Sequence, residues 1–115
     1  MRAGKRHECA EMTKFPFNDL HSFKDFVVFV QICSPNRFPL REGTLANTPW
    51  TLDLAFEGLR LGLDMAVREK GERREFTESR RLVGEAYDAY KSGDVRSGFT
   101  KLEEVQKLLR RVPSQ

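Results

Sequence analysis

The sequence has no apolar run long enough to cross a membrane. Its longest run is Phe26–Val30, whereas a spanning helix needs about 20 apolar residues. Residues 1–12 are charged and lack the apolar core of a secretory signal. Cysteine is scarce, with only Cys9 and Cys33, and an even count is no sign of a disulfide outside a secreted context. We therefore expect a cytoplasmic protein with reduced thiols.

Short motifs that mark common enzymes are also missing. The chain contains no GxSxG nucleophile elbow, no GxxxxGK[ST] phosphate loop and no HExxH zinc motif. A catalytic triad needs no local signature, but only two histidines and two cysteines are available for one. The spacings of His7 with Cys9 and of His21 with Cys33 match no zinc pattern. We predict a protein that is not an enzyme and that uses no cofactor and no metal.

What is present is the composition of one small globular domain. Of the 115 residues, 39% are hydrophobic and 32% are charged, which excludes intrinsic disorder and disulfide scaffolds. The 20 Lys and Arg exceed the 17 Asp and Glu, so the net charge is +3. This small excess permits contact with nucleic acid without arguing for it.

The stretch Thr48–Lys70 has the clearest pattern in the chain and predicts a long helix. Thr48 suits the N-cap, Pro49 suits the first helical position, and Gly71 ends the run. A first apolar stripe at helical spacing consists of Leu52, Ala55, Phe56, Leu59, Leu63, Ala66 and Val67. A second stripe on nearly the opposite side consists of Trp50, Leu54, Leu61 and Met65.

The second stripe needs a cover, because an exposed aligned set of large apolar side chains usually marks an interface. The segment Phe15–Phe17 with Leu40 and Leu45 could supply it from within the chain. A second copy of the chain could instead supply it by two-fold symmetry. The cover from within looks thin for a tryptophan and three long aliphatic side chains, so we favour a homodimer through this stripe.

Two further features lie on the flanks of this helix. Gly58 and Gly62 are about one turn apart, and each costs about 1 kcal/mol relative to alanine, so another helix is expected to approach closely there. Asp53, Glu57 and Asp64 share the other flank, where carboxylates could bind a metal or act as acid and base. Because Arg60 is spaced to neutralise Glu57 and Asp64, we interpret this flank as a solvated charge ladder.

The chain before this helix begins with residues 1–14, which have no apolar periodicity and are predicted to form a mobile tail. Met12 is an alternative start of translation. A single helical domain then covers residues 15–113. Its first helix is capped by Asn18, and its apolar positions are Leu20, Phe23, Phe26, Val27 and Val30. A buried strand over residues 26–33 is the alternative, but no second strand is evident to pair with it.

The segment Ser34–Asn47 contains two prolines and a glycine and is predicted to be a loop. At this length a loop in a compact domain is often functional. We expect Phe38 to anchor it in a partly buried position, with Arg37, Arg41 and Glu42 in solvent. Arg37, Phe38 and Arg41 therefore join the second stripe as candidate partner-binding residues.

Two more helices follow, from about Thr77 to Lys91 and from a cap at Asp94 to Pro113. Their short connection requires an antiparallel hairpin. The apolar face of the first is Phe76, Ser79, Leu82, Val83, Ala86 and Tyr90. The apolar face of the second is Val95, Gly98, Phe99, Leu102, Val105, Leu109 and Val112.

Over residues 82–112 this hairpin shows a pattern in which a small residue and a tyrosine precede a Gly-Asp turn, after which another small residue lets the second helix approach. The residues that carry it are Ala86, Tyr90, Gly93, Asp94, Val95, Gly98, Leu102 and Val105. The pattern resembles the core of a single tetratricopeptide repeat, and any helical hairpin that obeys the same packing rules is the alternative. The resemblance implies a helical hairpin, and no functional residue is carried over from it.

The sequence as a whole predicts an all-α fold of about four helices, an antiparallel bundle with a C-terminal hairpin. The function we expect is a protein–protein interaction module of an adaptor, antitoxin-like or immunity-like kind. The alternative is nucleic-acid binding by residues 68–81, although glutamates interleave with the basic residues there. These basic residues are Arg68, Lys70, Arg73, Arg74, Arg80 and Arg81.

Overall fold

The computed structural model describes residues 15–39 and 49–113. These residues form four α-helices and no strand: α1 (Leu20–Cys33), α2 (Leu52–Lys70), α3 (Arg74–Lys91) and α4 (Val95–Arg110). The predicted all-α fold is confirmed, and residues 26–33 are helical. The predicted tail over residues 1–14 and the loop residues 40–48 lie outside the described residues. None of the described helices has the length and hydropathy needed to cross a membrane.

The helices close into a ring in which each packs against the next and α4 packs against α1. Residues 71–73 and 92–94 are the only links between α2, α3 and α4, so these neighbours run antiparallel. The backbone N–H of Leu20 donates to the Glu69 carboxylate (3.0 Å), which places the start of α1 beside the end of α2. The Gln31 amide donates to the Phe99 carbonyl (3.2 Å), so α1 and α4 are antiparallel too. The result is an up-down-up-down bundle with its core between the four helices.

Helix α1 begins at a capping box one residue later than predicted. The Asp19 carboxylate accepts from the Ser22 N–H (2.9 Å), and the Ser22 hydroxyl accepts from the Asp19 N–H (3.3 Å). The predicted cap, Asn18, instead donates its own N–H to the Ser22 hydroxyl (3.0 Å). The backbone bond from Ser22 lowers the pKa of Asp19, because it favours the charged carboxylate.

The predicted start of α2 is wrong by about one turn. Its N-cap is Thr51, whose hydroxyl accepts from the Leu54 N–H (3.0 Å), and not Thr48. Pro49 and Trp50 therefore precede the helix. Because Trp50 is not helical, the spacing that placed it in the second stripe does not apply to it. The other end agrees with prediction, since Gly71 ends α2 with a φ of 87° that favours glycine.

The predicted core of α2 and α3 is confirmed with small exceptions. In the first stripe of α2 only Leu52 and Val67 remain partly exposed, and every residue of the predicted α3 face is buried. On α4 the prediction fails at Val95 and Phe99, which are 43% and 45% exposed. At about 100° per residue these two lie to one side of the buried row that α4 turns toward its neighbours. That row consists of Gly98, Leu102, Val105 and Leu109.

The expected close approach at Gly58 and Gly62 is confirmed, but aromatic rings make it, not a helix backbone. A Cβ atom at Gly62 would lie 2.0 Å from Cε1 of Phe23, and one at Gly58 would lie 2.8 Å from atoms of Phe15 and Phe26. Phe23 is fully buried and Phe26 nearly so. Rings of α1 thus occupy the volume that side chains at the two glycines would fill.

The α3–α4 hairpin closes through a tyrosine and two glycines. Gly93 takes a φ of 90° in the turn, and the Asp94 carboxylate caps α4 by accepting from the Ser97 N–H (3.1 Å). The ring of Tyr90 lies against Gly98, where a Cβ would come within 2.7 Å of ring carbons. The Tyr90 hydroxyl is buried without a hydrogen-bond partner among the described residues.

Replacing Gly62 with alanine should destabilise the bundle. The added methyl group overlaps a fully buried phenylalanine ring, so we expect the free energy of unfolding to fall by about 1–3 kcal/mol despite the better helix propensity. Gly84 is the matched control, because it lies inside α3 with no atom within 4 Å of an added Cβ. Gly84→Ala should raise the free energy of unfolding by up to about 1 kcal/mol. Urea unfolding measures both, and a Gly62→Ala variant as stable as wild type would contradict the packing described here.

Tyr90→Phe should make the fold less sensitive to alkaline pH. Burial raises the pKa of Tyr90 to about 12, whereas tyrosine in an unfolded chain titrates near 10. Between about pH 10 and pH 12 the unfolded chain loses this proton and the folded chain keeps it, so wild-type stability falls as the pH rises. The variant lacks this contribution, and at pH 7 it should be at least as stable as wild type because the removed hydroxyl has no partner. Parallel slopes of stability against pH for the two proteins would show the prediction to be wrong.

Candidate functional site

The predicted partner-binding residues near the loop form part of an aromatic cluster. Trp50 contacts the rings of Phe15, Phe26, Phe29 and Phe38, with centroids 5.3–6.2 Å apart. Its ring is therefore held from within the chain and is only partly exposed. This cluster covers Trp50, the first residue of the second stripe, from within the chain.

The loop residues lie largely as expected. Phe38 is half-buried and its ring stacks near that of Trp50, so the prediction of an anchor is confirmed. Arg37 is exposed, also as predicted. Arg41 and Glu42, and the proposed pins Leu40 and Leu45, lie outside the described residues.

The rest of the second stripe does not form one exposed face. Leu54 is buried at 9% exposure and Met65 packs partly buried against the core, whereas Leu61 is 44% exposed. Helix α2 thus buries Leu54 and partly buries Met65 on this side, within its own bundle. The homodimer through this stripe stays a prediction, and Leu61 is the one member of the stripe that is exposed.

Two carboxylates of the predicted charge ladder on α2 bind residues of α3, not residues of their own helix. The Asp64 carboxylate binds Arg80 of α3 (2.7 Å), and the Asp53 carboxylate accepts from the Tyr87 hydroxyl. Arg60 lies over the Tyr87 ring, 5.5 Å from its centroid. The bond to Asp53 raises the pKa of Tyr87, because it favours the protonated hydroxyl. No group of His, Cys, Asp and Glu among the described residues could hold a metal ion.

The basic region around residues 68–81 is half neutralised. Arg80 pairs with Asp64 (2.7 Å), and Arg81 pairs with both Glu78 (2.6 Å) and Glu85 (2.7 Å). Lys70 lies 3.8 Å from Glu69. Within the described part of the chain, the three residues at the α2–α3 link make no ion pair and are exposed: Arg68, Arg73 and Arg74.

A different surface collects most of the exposed apolar side chains. Five large hydrophobic residues are exposed among those described, and four of them lie on α1 and α4. We call these four the seam patch: Val28 (38% exposed), Ile32 (65%), Val95 (43%) and Phe99 (45%). Helix α1 packs against α4, and Gln31 binds the Phe99 carbonyl. Val28 and Ile32 on α1 and Val95 and Phe99 on α4 therefore lie on the two helices that meet at one seam.

A groove of about 180 Å³ continues the seam from Val28 toward the end of α4. Its lining residues are Lys24, Asp25, Val28, Gln106, Leu109 and Arg110. The Lys24 ammonium donates to the Val112 carbonyl (2.8 Å), a favourable place for a cation beyond a helix C-terminus. Burial lowers the pKa of Lys24, with a further contribution from nearby Lys70.

The seam is held by polar contacts that fix its geometry. Gln31 is 8% exposed; it donates to the Phe99 carbonyl and accepts from the Gln106 side-chain amide. Both ends of its amide are therefore satisfied between α1 and α4. Side-chain hydrogen bonds thus join the two helices of the seam.

Sequence reasoning missed this surface for two reasons. Val95 and Phe99 were assigned to the core because they fit the apolar stripe of α4, and Val28 and Ile32 were not assigned to a face at all. One signal was available: at about 100° per residue, Val28 and Ile32 fall on the outer side of α1, away from the Leu20–Phe23–Val27 row. An apolar pair on the outer side of an otherwise amphipathic helix points to a second contact.

The two leucines of the second stripe should respond differently to a charge. We expect Leu54→Glu to lower the free energy of unfolding by about 3 kcal/mol or more, because it buries an unpaired carboxylate in the core. Leu61→Glu should change it by about 0.5 kcal/mol or less, because this side chain faces solvent. Chemical unfolding and light scattering measure stability and mass together. If Leu61→Glu converts a wild-type dimer into a folded monomer, the second stripe is an interface after all.

Comparisons with known proteins add no relative to this geometry. No family model matches the chain, and neither the curated proteins nor the solved structures gave a significant match.

Proposed function

We propose that this chain is a non-catalytic, cytoplasmic protein–protein interaction module of an adaptor, antitoxin-like or immunity-like kind. The observation that supports it most is the seam patch. Four large apolar side chains, two on each of the helices that meet at the seam, are exposed by 38–65%. Single exposed apolar residues need no explanation, but several on two packed helices beside a groove are typical of a binding surface.

The construction of the seam suits this role. Its two helices are fixed by the Gln31 contacts and by the Lys24 bond to the end of α4. A surface that is ordered before binding loses little conformational entropy when a partner docks. The resemblance of residues 82–112 to a tetratricopeptide hairpin belongs to the same proposal. The packing of the Tyr90 ring against Gly98 supports this resemblance.

Nucleic-acid binding is the second candidate, and one observation favours it. Arg68, Arg73 and Arg74 are exposed at one end of the bundle and make no ion pair with any described residue. Phosphate contacts need free cations of this kind. Glu72 and Glu75 lie between and beside them, however, and reduce the local positive potential.

Site-specific photo-crosslinking in the native cell tests the proposal. A photoreactive phenylalanine analogue at position 99 should give one dominant adduct with another protein, because Phe99 is the aromatic member of the seam patch. The same analogue at position 61 is the matched control, since Leu61 is almost equally exposed (44% against 45%) on a different helix. Position 61 should give no such adduct.

Two results would contradict the proposal. One is an adduct pattern that does not differ between positions 99 and 61. The other is tight retention on DNA or heparin that falls steeply with salt and is abolished by Arg73→Glu with Arg74→Glu, because that behaviour follows phosphate contacts. The second result would establish the nucleic-acid alternative.

A further inference from the structure

The seam surface is elongated along the helix axes. On α1 it runs from Lys24 to Ile32, and on α4 it runs from Val95 to Arg110. At about 1.5 Å per residue these spans are roughly 12 Å and 22 Å long. The groove occupies the Lys24–Arg110 end and the larger apolar side chains occupy the other end. An occupant of this surface has the dimensions of a short rod about three to four helical turns long.

The backbone around the seam restricts the form of that occupant. Both sides of the seam are α-helices, and the described residues contain no strand whose edge an extended segment could join. An extended peptide would therefore gain no main-chain hydrogen bonds here. A helix satisfies its own backbone, and a groove between two packed helices accepts the side-chain ridge of a third.

The size of the apolar surface argues against a second copy of this chain. Four half-exposed side chains present on the order of 300 Å², similar to the largest patch on an ordinary monomer. A stable protein–protein interface buries about 800 Å² on each partner, of which roughly 450–520 Å² is apolar. One amphipathic helix whose apolar stripe covers the seam patch matches this smaller area.

The charges along the seam favour one orientation of the occupant. Lys24 and Arg110 face Asp25 in the groove, so two cations stand against one carboxylate. Arg111 follows Arg110 directly, whereas Lys107 is already 3.6 Å from Glu104. At the other end the exposed Arg96 directly follows Val95 in the chain. Because two cations, Lys24 and Arg110, line the groove, a carboxylate on the occupant is stabilised most where it lies over the groove.

We infer that the seam binds an amphipathic helix of the partner, with its apolar stripe on the seam patch and acidic residues over the Lys24–Arg110 groove. This inference rests on the proposed function and names the class of segment that the partner supplies. It adds the orientation of that segment, since the acidic end lies toward the C-terminus of α4.

A library of displayed helices tests this directly. The probe is a set of Ala-rich helical peptides of roughly 16 residues, with one face and both ends randomised. They are selected on the wild-type chain after removal of binders to the Ile32→Glu, Phe99→Glu double variant. Enriched peptides should carry apolar residues at i, i+3 or i+4, and i+7, with Asp or Glu at one end.

Affinities of the enriched peptides, measured by fluorescence anisotropy, then locate the site. The Ile32→Glu, Phe99→Glu variant should bind at least about tenfold more weakly, and a Thr77→Glu control, at an exposed position of α3 outside the seam, should stay within about twofold of wild type. Arg110→Glu should weaken acidic-ended peptides by about three- to tenfold and should reverse the preference at that end toward Lys or Arg. Circular dichroism confirms that each variant is folded, which is expected because the replaced side chains are all exposed.

Three outcomes would overturn the inference: no helix is enriched; the enriched peptides bind the double variant as well as wild type; or their ends are basic. Dimerisation of the wild type that the double variant abolishes would show that a second copy occupies the seam. The proposed function is judged separately. Position 99 could give an adduct in the cell while the peptide selection enriches no helix. That combination would support binding to a protein partner and would reject only the inference that the partner binds through a helix.

Discussion

Phenylalanine rings from α1 lie directly on two glycines of α2, and the position of α1 in the bundle depends on this contact. Helices α2, α3 and α4 are joined by links of three residues each, at 71–73 and 92–94, which hold them side by side. Helix α1 is separated from α2 by residues 34–51 and has no such constraint. Phe23 on Gly62, and Phe26 with Phe15 on Gly58, provide it instead. The loss of helix propensity at two glycines is thus offset by the burial of large aromatic surface.

The same contact explains how a helix that is apolar on two sides fits inside one small domain. Once α1 is seated, Phe26 and Phe29 stand beside Trp50, and Phe38 returns from the loop to pack on the same indole. The aromatic cluster thus covers Trp50 from within the chain. Leu61 of the same stripe stays exposed, and a second copy at this stripe stays a prediction.

Placing α1 also creates the surface to which we assign the function. Because α1 closes the ring against α4, the exposed Val28 and Ile32 lie on one helix of the seam and the exposed Val95 and Phe99 lie on the other. Gln31 and Lys24 then tie the two helices together through the Phe99 and Val112 carbonyls. The proposed binding surface therefore lies on two helices that hydrogen bonds hold together. A partner that docks there meets side chains already in place.

The sequence by itself determined the helices and most of their buried faces. Gly71, Gly93 and Asp94 act on their immediate neighbours, and the apolar rows of α2 and α3 repeat at the helical period, so local physics was sufficient. The start of α2 was misplaced because Thr48 and Thr51 both suit a cap, and only the packed position of Trp50 distinguishes them. Only the tertiary structure decided which apolar residues remain exposed. Whether Val95, Phe99, Leu54 or Leu61 is buried depends on which helix packs against it. That packing is set by contacts between residues far apart in the chain.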